Sequence, residues 1–139
     1  MRRWVFTDSS GLIAKFLAAD EDHDAADEEM RRLAREGHLF LTTNYIFDEV
    51  VTRVRRLAGF RESKRVGEVI RSSKLIRTAY IDLALEAYAW RLYLKYRDQE
   101  ISFTDATSFA VMETHGLEDA FTFDRDFARV GFTVLPGLG

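Results

Sequence analysis

The sequence predicts an α/β protein of three layers, α/β/α, with a central, mostly parallel sheet of four to five strands. Short β-prone runs alternate with amphipathic helical stretches along the whole chain. Strands separated by helices need crossover connections, which pair them in parallel and cover the sheet on both faces. The composition, 47% hydrophobic and 31% charged over 139 residues without a low-complexity break, suits a single domain spanning 1–139. Carboxylates recur where a strand or loop gives way to a helix, and parallel sheets bind ligands beyond the carboxyl ends of their strands.

Each element has its own signal. Arg3 to Thr7 is a brief β-prone run, and Asp8-Ser9-Ser10-Gly11 then offers capping groups for a helix through Leu12, Ile13, Phe16 and Leu17. His23 to Arg35 is a polar helix with Ala26, Met30 and Leu33 on its apolar side; Gly37 ends it, and Leu39 to Thr42 is a second strand. Asn44 opens a helix to about Ala58, with Ile46, Phe47, Val50, Val51, Val54 and Leu57 in one broad stripe. Past Gly59, Glu62 to Ser72 is helical and Lys74 to Tyr80 contains a third strand. Asp82 to Tyr96 is the clearest helix, carrying Leu83, Leu85, Ala87, Trp90, Leu92 and Leu94. Ser102 to Thr114 is a further helix, closed by Gly116. Ala120 to Phe123 is a short strand, Asp124 to Phe127 one helical turn, and Phe132 to Leu135 a last strand before Pro136.

Composition excludes several chemistries. Without cysteine there are no disulfides, thiolate nucleophiles or cysteine-based zinc and iron–sulfur sites. The apolar run after Met1-Arg2-Arg3 is too short for a signal peptide and no stretch approaches a membrane span, so a soluble, cytoplasmic protein is expected. His23, His38 and His115 occur singly and read as surface residues rather than ligands. The net charge of −3 is unevenly spread. Asp20 to Glu29 holds seven acids and no Lys or Arg; Arg53 to Arg77 holds nine bases against Glu62 and Glu68. Either run is explained by a solvated helix face, and the basic one also by a phosphate-attracting rim.

Four stretches carry chemistry: Trp4 to Asp8, Asn44 to Glu49, Ser102 to Ala106, and Ala120 to Asp124. Acids gathered at one sheet edge repel each other unless a cation sits among them, and a divalent metal there points to phosphodiester hydrolysis. Each acid also has a purely structural explanation. Asp8 can cap the first helix; Ser102 and Asp105 fit a capping box; Glu49 stands four residues before Arg53, as in a helix ion pair; Asp124 can cap the turn after it. A receiver-like signalling domain wants paired acids after its first strand, and a haloacid-dehalogenase-type phosphatase wants a second acid at position 10. Asp8 is followed here by Ser9 and Ser10, which sets both aside.

Taken in order, Val5-Phe6-Thr7-Asp8-Ser9-Ser10, Thr42 to Val50, Ile101-Ser102-Phe103-Thr104-Asp105-Ala106 and Thr122-Phe123-Asp124-Arg125-Asp126-Phe127 resemble the PIN-domain nucleases. The match runs essentially end to end and looks like the toxin branch of toxin–antitoxin pairs, the VapC-like ribonucleases. The resemblance implies catalytic, metal-binding roles for Asp8, Glu49, Asp105 and Asp124, with supporting roles for Thr122, Ser9 and Asp126. Amphipathicity leaves Asp48 and Glu49 equivalent; the resemblance alone picks Glu49. It implies Mg2+ or Mn2+ as cofactor, RNA as substrate, a cognate antitoxin and a homodimer. A non-catalytic RNA- or protein-binding PIN-like module, and a stand-alone RNA-processing nuclease, are the competing readings. Arg53, Arg56, Arg61, Lys64 and Arg65 are candidates for RNA phosphate contacts, while Tyr88, Trp90 and Tyr93 read as core or subunit packing.

Overall fold

The computed structural model describes residues 3–137; Met1 and Arg2, which the signal-peptide expectation includes, lie outside them. The strands are β1 (Arg3–Thr7), β2 (His38–Thr43), β3 (Ile76–Ala79), β4 (Asp119–Phe121) and β5 (Thr133–Leu135). Between them run α1 (Ser9–Phe16), α2 (His23–Arg35), α3 (Asn44–Ala58), α4 (Phe60–Ser72), α5 (Leu83–Lys95), α6 (Phe103–His115) and the single turn α7 (Asp126–Arg129). All five strands pair in parallel, in the order β3-β2-β1-β4-β5, with helices flanking the sheet in the expected three-layer arrangement.

The order has a functional consequence. From β1 the chain steps outward through β2 to β3, then crosses back to place β4 on the other side of β1. Connections therefore diverge between β1 and β4, the switch point at which open parallel sheets leave a crevice. Asp8 directly follows β1, and Asp124 follows β4 by three residues. Central β1 buries Val5, Phe6 and Thr7, and a cluster of Phe6, Phe109 and Phe127 packs beneath this edge, with the Phe109 and Phe127 rings edge-on at 5.0 Å. Asp8 N–H donates to the Phe121 carbonyl across the β1–β4 seam at 3.1 Å. Gly11 makes this close approach possible: a Cβ there would stand 2.6 Å from the Phe121 carbonyl oxygen.

Several expectations change in three dimensions. α7 begins at Asp126 rather than Asp124, because the Asp124 carboxylate accepts from Asp126 N–H and the two residues form the turn that precedes the helix. His38 is buried rather than on the surface, its Nδ1 lying 3.0 Å from the Leu33 carbonyl oxygen. The apolar residues of α5 fall on two faces. Ala89 and Leu92 are buried, whereas Leu83, Trp90 and Leu94 stand exposed. Leu57, assigned to the α3 stripe, is likewise exposed while Ile46, Val50 and Val54 are fully buried. No helix among the described residues is long and apolar enough to cross a membrane.

Candidate metal centre

The four acids arrive from four elements. Asp8 is the N-cap position of α1 yet makes no side-chain cap bond, so the simplest structural explanation for it is not used. Its Oδ2 instead accepts from the Thr122 hydroxyl at 2.8 Å and from Ser10 Oγ at 3.3 Å. Its Oδ1 is buried and has no hydrogen-bond partner among the described residues. A buried carboxylate oxygen without a partner carries a desolvation penalty that a bound cation would remove.

Glu49 reaches the same edge from α3, where the Ser9 hydroxyl donates to its Oε1. Asp48 points out to solvent and takes a bond from Thr52. The structure thus brings Glu49, not Asp48, to the edge, and no Glu49–Arg53 ion pair forms among the described residues. Asp105 sits at the third position of α6 in a complete capping box: Asp105 N–H donates to Ser102 Oγ and Ser102 N–H to Asp105 Oδ2, each at 3.0 Å. Capping uses Oδ2 and leaves Oδ1 free, so the cap explanation and the metal explanation are compatible. Asp124 N–H donates to Thr122 Oγ1 at 3.0 Å.

Thr122 and Ser9 thus each touch an acid, and Asp126 joins the group directly. One carboxylate oxygen each from Asp105, Asp124 and Asp126 lie within 4.8 Å of one another. Asp126 also accepts from Arg129 at 2.7 Å. One contributor escaped the sequence reading. Ser10 Oγ lies 3.0 Å from Thr122 Oγ1, contacts Asp8 and accepts from Phe123 N–H at 2.9 Å, so it ties the β1 end to the β4 end. The signal was the second serine after Asp8, which also reads as an ordinary capping residue.

Electrostatics record the crowding. Burial pushes the Asp8 carboxyl up to about 7, opposed by the Thr122 bond and reinforced by the charges of Asp105 and Glu49. Burial likewise raises Asp105 to about 6, against the Ser102 bond and with Asp124 and Glu49 adding to it. Asp124 is raised too, first by burial, with Asp126 contributing. A donor set made wholly of oxygens suits a hard divalent cation. The residues present therefore fit a metal.

The candidate phosphate contacts divide. Arg53 and Arg56 are exposed and follow Glu49 by four and seven residues, on the same stripe of α3. Arg61, Lys64 and Arg65 border a surface hollow with Glu62 and Glu68, where Lys64 pairs with Glu68 and Arg65 with Glu62. A cleft of about 550 Å3 lined by α1, α2, α4 and β3 holds none of the four acids.

Residues 5–133 match the PIN domain family. The chain belongs to that family. Among curated PIN relatives, the 23S rRNA-specific endonuclease VapC20 of Mycobacterium tuberculosis (strain CDC 1551 / Oshkosh) is 34% identical over 128 residues, covering 92% of this chain and 95% of that protein. The same protein from strain ATCC 25618 / H37Rv matches equally. A crystal structure of Mycobacterium tuberculosis VapC20, described as a sarcin–ricin loop cleaving toxin, matches with a TM-score of 0.83, again over 92% of this PIN domain and 95% of that chain. VapBC2 from Rickettsia felis, bound to a DNA fragment from its promoter, shares the fold at a TM-score of 0.71 and 10% identity, over 94% of this chain and 96% of that one.

Proposed function

We propose that this PIN domain is a metal-dependent endoribonuclease and the toxin of a toxin–antitoxin pair. The reading rests on one carboxylate oxygen each from Asp105, Asp124 and Asp126 lying within 4.8 Å of one another, beside a buried Asp8 whose Oδ1 has no partner among the described residues and whose carboxyl feels the charges of Asp105 and Glu49. Kinship at 34% identity to a 23S rRNA-specific endonuclease supports RNA as the substrate. Fold likeness to a VapBC assembly is in keeping with an antitoxin partner. The place of action is then the cytoplasm.

In this reading Asp8, Glu49, Asp105 and Asp124 would hold Mg2+ or Mn2+. Bound there, the ion would supply activation of a coordinated water and relief of the charge developing on the phosphoryl oxygens. The protein supplies preorganisation. Thr122 and Ser10 hold one oxygen of Asp8 and leave the other free; Ser9 fixes Glu49; the capping box holds Asp105 with one oxygen to spare. Asp126 supports Asp124 through its N–H. Arg53 and Arg56, both exposed on α3, would take RNA phosphates. The product ends are a 5′-phosphate and a 3′-hydroxyl.

A homodimer is part of the reading. Leu83, Trp90 and Leu94 stand exposed at intervals of seven and four along α5, the spacing of a helix–helix seam. The deciding experiment is cleavage of structured and unstructured RNAs with Mg2+ or Mn2+, beside Asp8→Asn and Asp105→Asn. Both variants are expected to fold and to lose nearly all turnover. Full activity in both would dispose of the mechanism.

A further inference from the structure

β3 is an outer strand of the sheet, and a cleft of about 410 Å3 opens along it between the start of α3 and the end of α4. Its volume is that of a small-ligand site. Asn44, Phe47, Arg71, Arg77, Thr78 and Tyr80 shape it. Lys15, Arg31, Arg32, Lys64 and Arg65 on α1, α2 and α4 each hold an acid of this chain, whereas Arg35, Arg61 and Lys74 hold none among the described residues but do not line this cleft. Arg71 and Arg77 are exposed and pair with no acid among the described residues.

The cleft is organised rather than merely basic. The Arg71 guanidinium lies over the Phe47 ring, 4.3 Å from its centre, a contact that limits its rotation while the residue stays exposed. Tyr80, 71% exposed, offers a ring at the carboxyl end of β3. Ile81 N–H donates to Asn44 Oδ1 at 2.7 Å and ties that end to the start of α3. β3 lies two strands from β1, about 10 Å across the sheet, and ends on the same edge as Asp8. An acidic centre repels the polyanion that it cuts, so cations beside it must hold the flanking phosphates. Forked guanidiniums suit phosphates, and an exposed ring suits an unstacked base.

We propose that this cleft is a subsite for one unpaired nucleotide of the RNA, beyond the bond that is cut. Arg71 and Arg77 hold the phosphates on either side of that nucleotide, and Tyr80 stacks on its base. The inference rests on the ribonuclease reading and adds that the substrate is looped or single-stranded at this position. An acidic segment of a partner protein would also meet the two cations, but would leave the aromatic ring and the continuity with the acidic edge without a role.

The test is binding of a fluorescent RNA hairpin with an unpaired loop to the full chain in EDTA, where no cleavage occurs, from 50 to 300 mM KCl. Each phosphate contact on a single strand contributes a log–log salt slope of about 0.7, so Arg71→Gln with Arg77→Gln should flatten the slope by about 1.4 and weaken binding about 25-fold near 0.1 M. Tyr80→Ala should weaken binding about fivefold or more without changing the slope, and Tyr80→Phe should restore it. The exposed pair Arg35→Gln with Arg97→Gln serves as control and should leave the slope as it was. An unchanged slope in the Arg71/Arg77 variant, an equal change in the control, or intact RNA binding with loss of a partner protein would overturn the subsite. Mg2+-dependent cleavage of the same hairpin by the unmodified chain separates the two readings. Cleavage with an unaltered salt slope sinks the subsite alone, and binding without cleavage sinks the ribonuclease reading.

Discussion

Replacing Asp8 by Asn should stabilise the metal-free protein while destroying its activity. In the folded state the Asp8 carboxyl is raised to about 7 from an ordinary 3.8. A carboxyl raised in this way binds more protons folded than unfolded between those two values, so its contribution to stability falls as pH rises through the window. Below about 4 the group is neutral in both states and the penalty vanishes; above about 7 it is fully expressed, at an upper bound of about 4 kcal/mol. Asn keeps the acceptor for Thr122 and Ser10, but its NH2 occupies the place of the partnerless Oδ1, and an unsatisfied buried donor costs about 1–3 kcal/mol. A net gain of about 2 kcal/mol remains, or about 5–8 °C in Tm for a chain of this size. The assay is thermal unfolding in EDTA at pH 4 and pH 8. The variant should melt above the unmodified protein at pH 8 and below it at pH 4, where the charge penalty is gone and only the cost of the unsatisfied amide donor is left. A Tm difference that does not change with pH would refute the argument that Asp8 is held ionised against its surroundings.

Three other outcomes follow from the same geometry. Ser102→Ala removes one half of the capping box and should cost about 1 kcal/mol, lowering Tm by about 3 °C, with cleavage reduced but measurable, whereas Asp105→Asn should abolish cleavage without lowering Tm. Gly11→Ala should destabilise by about 1–3 kcal/mol and cripple cleavage, because α1 must move away from the Phe121 backbone and carry Ser9 and Ser10 with it; unfolding and turnover measured together check this. Leu83→Lys with Leu94→Lys should convert a dimer into a folded monomer in sedimentation experiments; a persistent dimer would move the interface elsewhere.

Much of the fold was legible because periodicity and punctuation agree. His23–Arg35 and Asn44–Ala58 end where Gly37 and Gly59 adopt positive φ, and β1 spans the run read from its residues. What periodicity cannot supply is which apolar face meets a partner. Leu83 and Leu92 look alike in one dimension, yet only Leu92 packs into the protein. The site divides in the same way. Alternation of strands and helices places Asp8 and Asp124 at the sheet's carboxyl edge, but Asp48 and Glu49 flank the α3 stripe symmetrically. In space they differ: the Ser9 hydroxyl on α1 donates to Glu49, while Asp48 is exposed and takes a bond from Thr52. Ser10 escaped because its three contacts join residues more than a hundred positions apart or lie within a turn that reads as ordinary capping. Arg71 and Arg77 were indistinguishable within a run of nine bases until the fold brought them into one cleft, with Arg71 over the Phe47 ring.

Everything turns on whether Asp8, Glu49, Asp105 and Asp124 capture a divalent cation. Crystals soaked in Mn2+ and measured for anomalous scattering test this directly. A peak at ligand distance, about 2.0–2.2 Å, from Asp8 Oδ1 and shared with Asp105 or Asp124 is the expected result. Fully occupied Mn2+ elsewhere on the chain, with no density among these four carboxylates, would contradict the account.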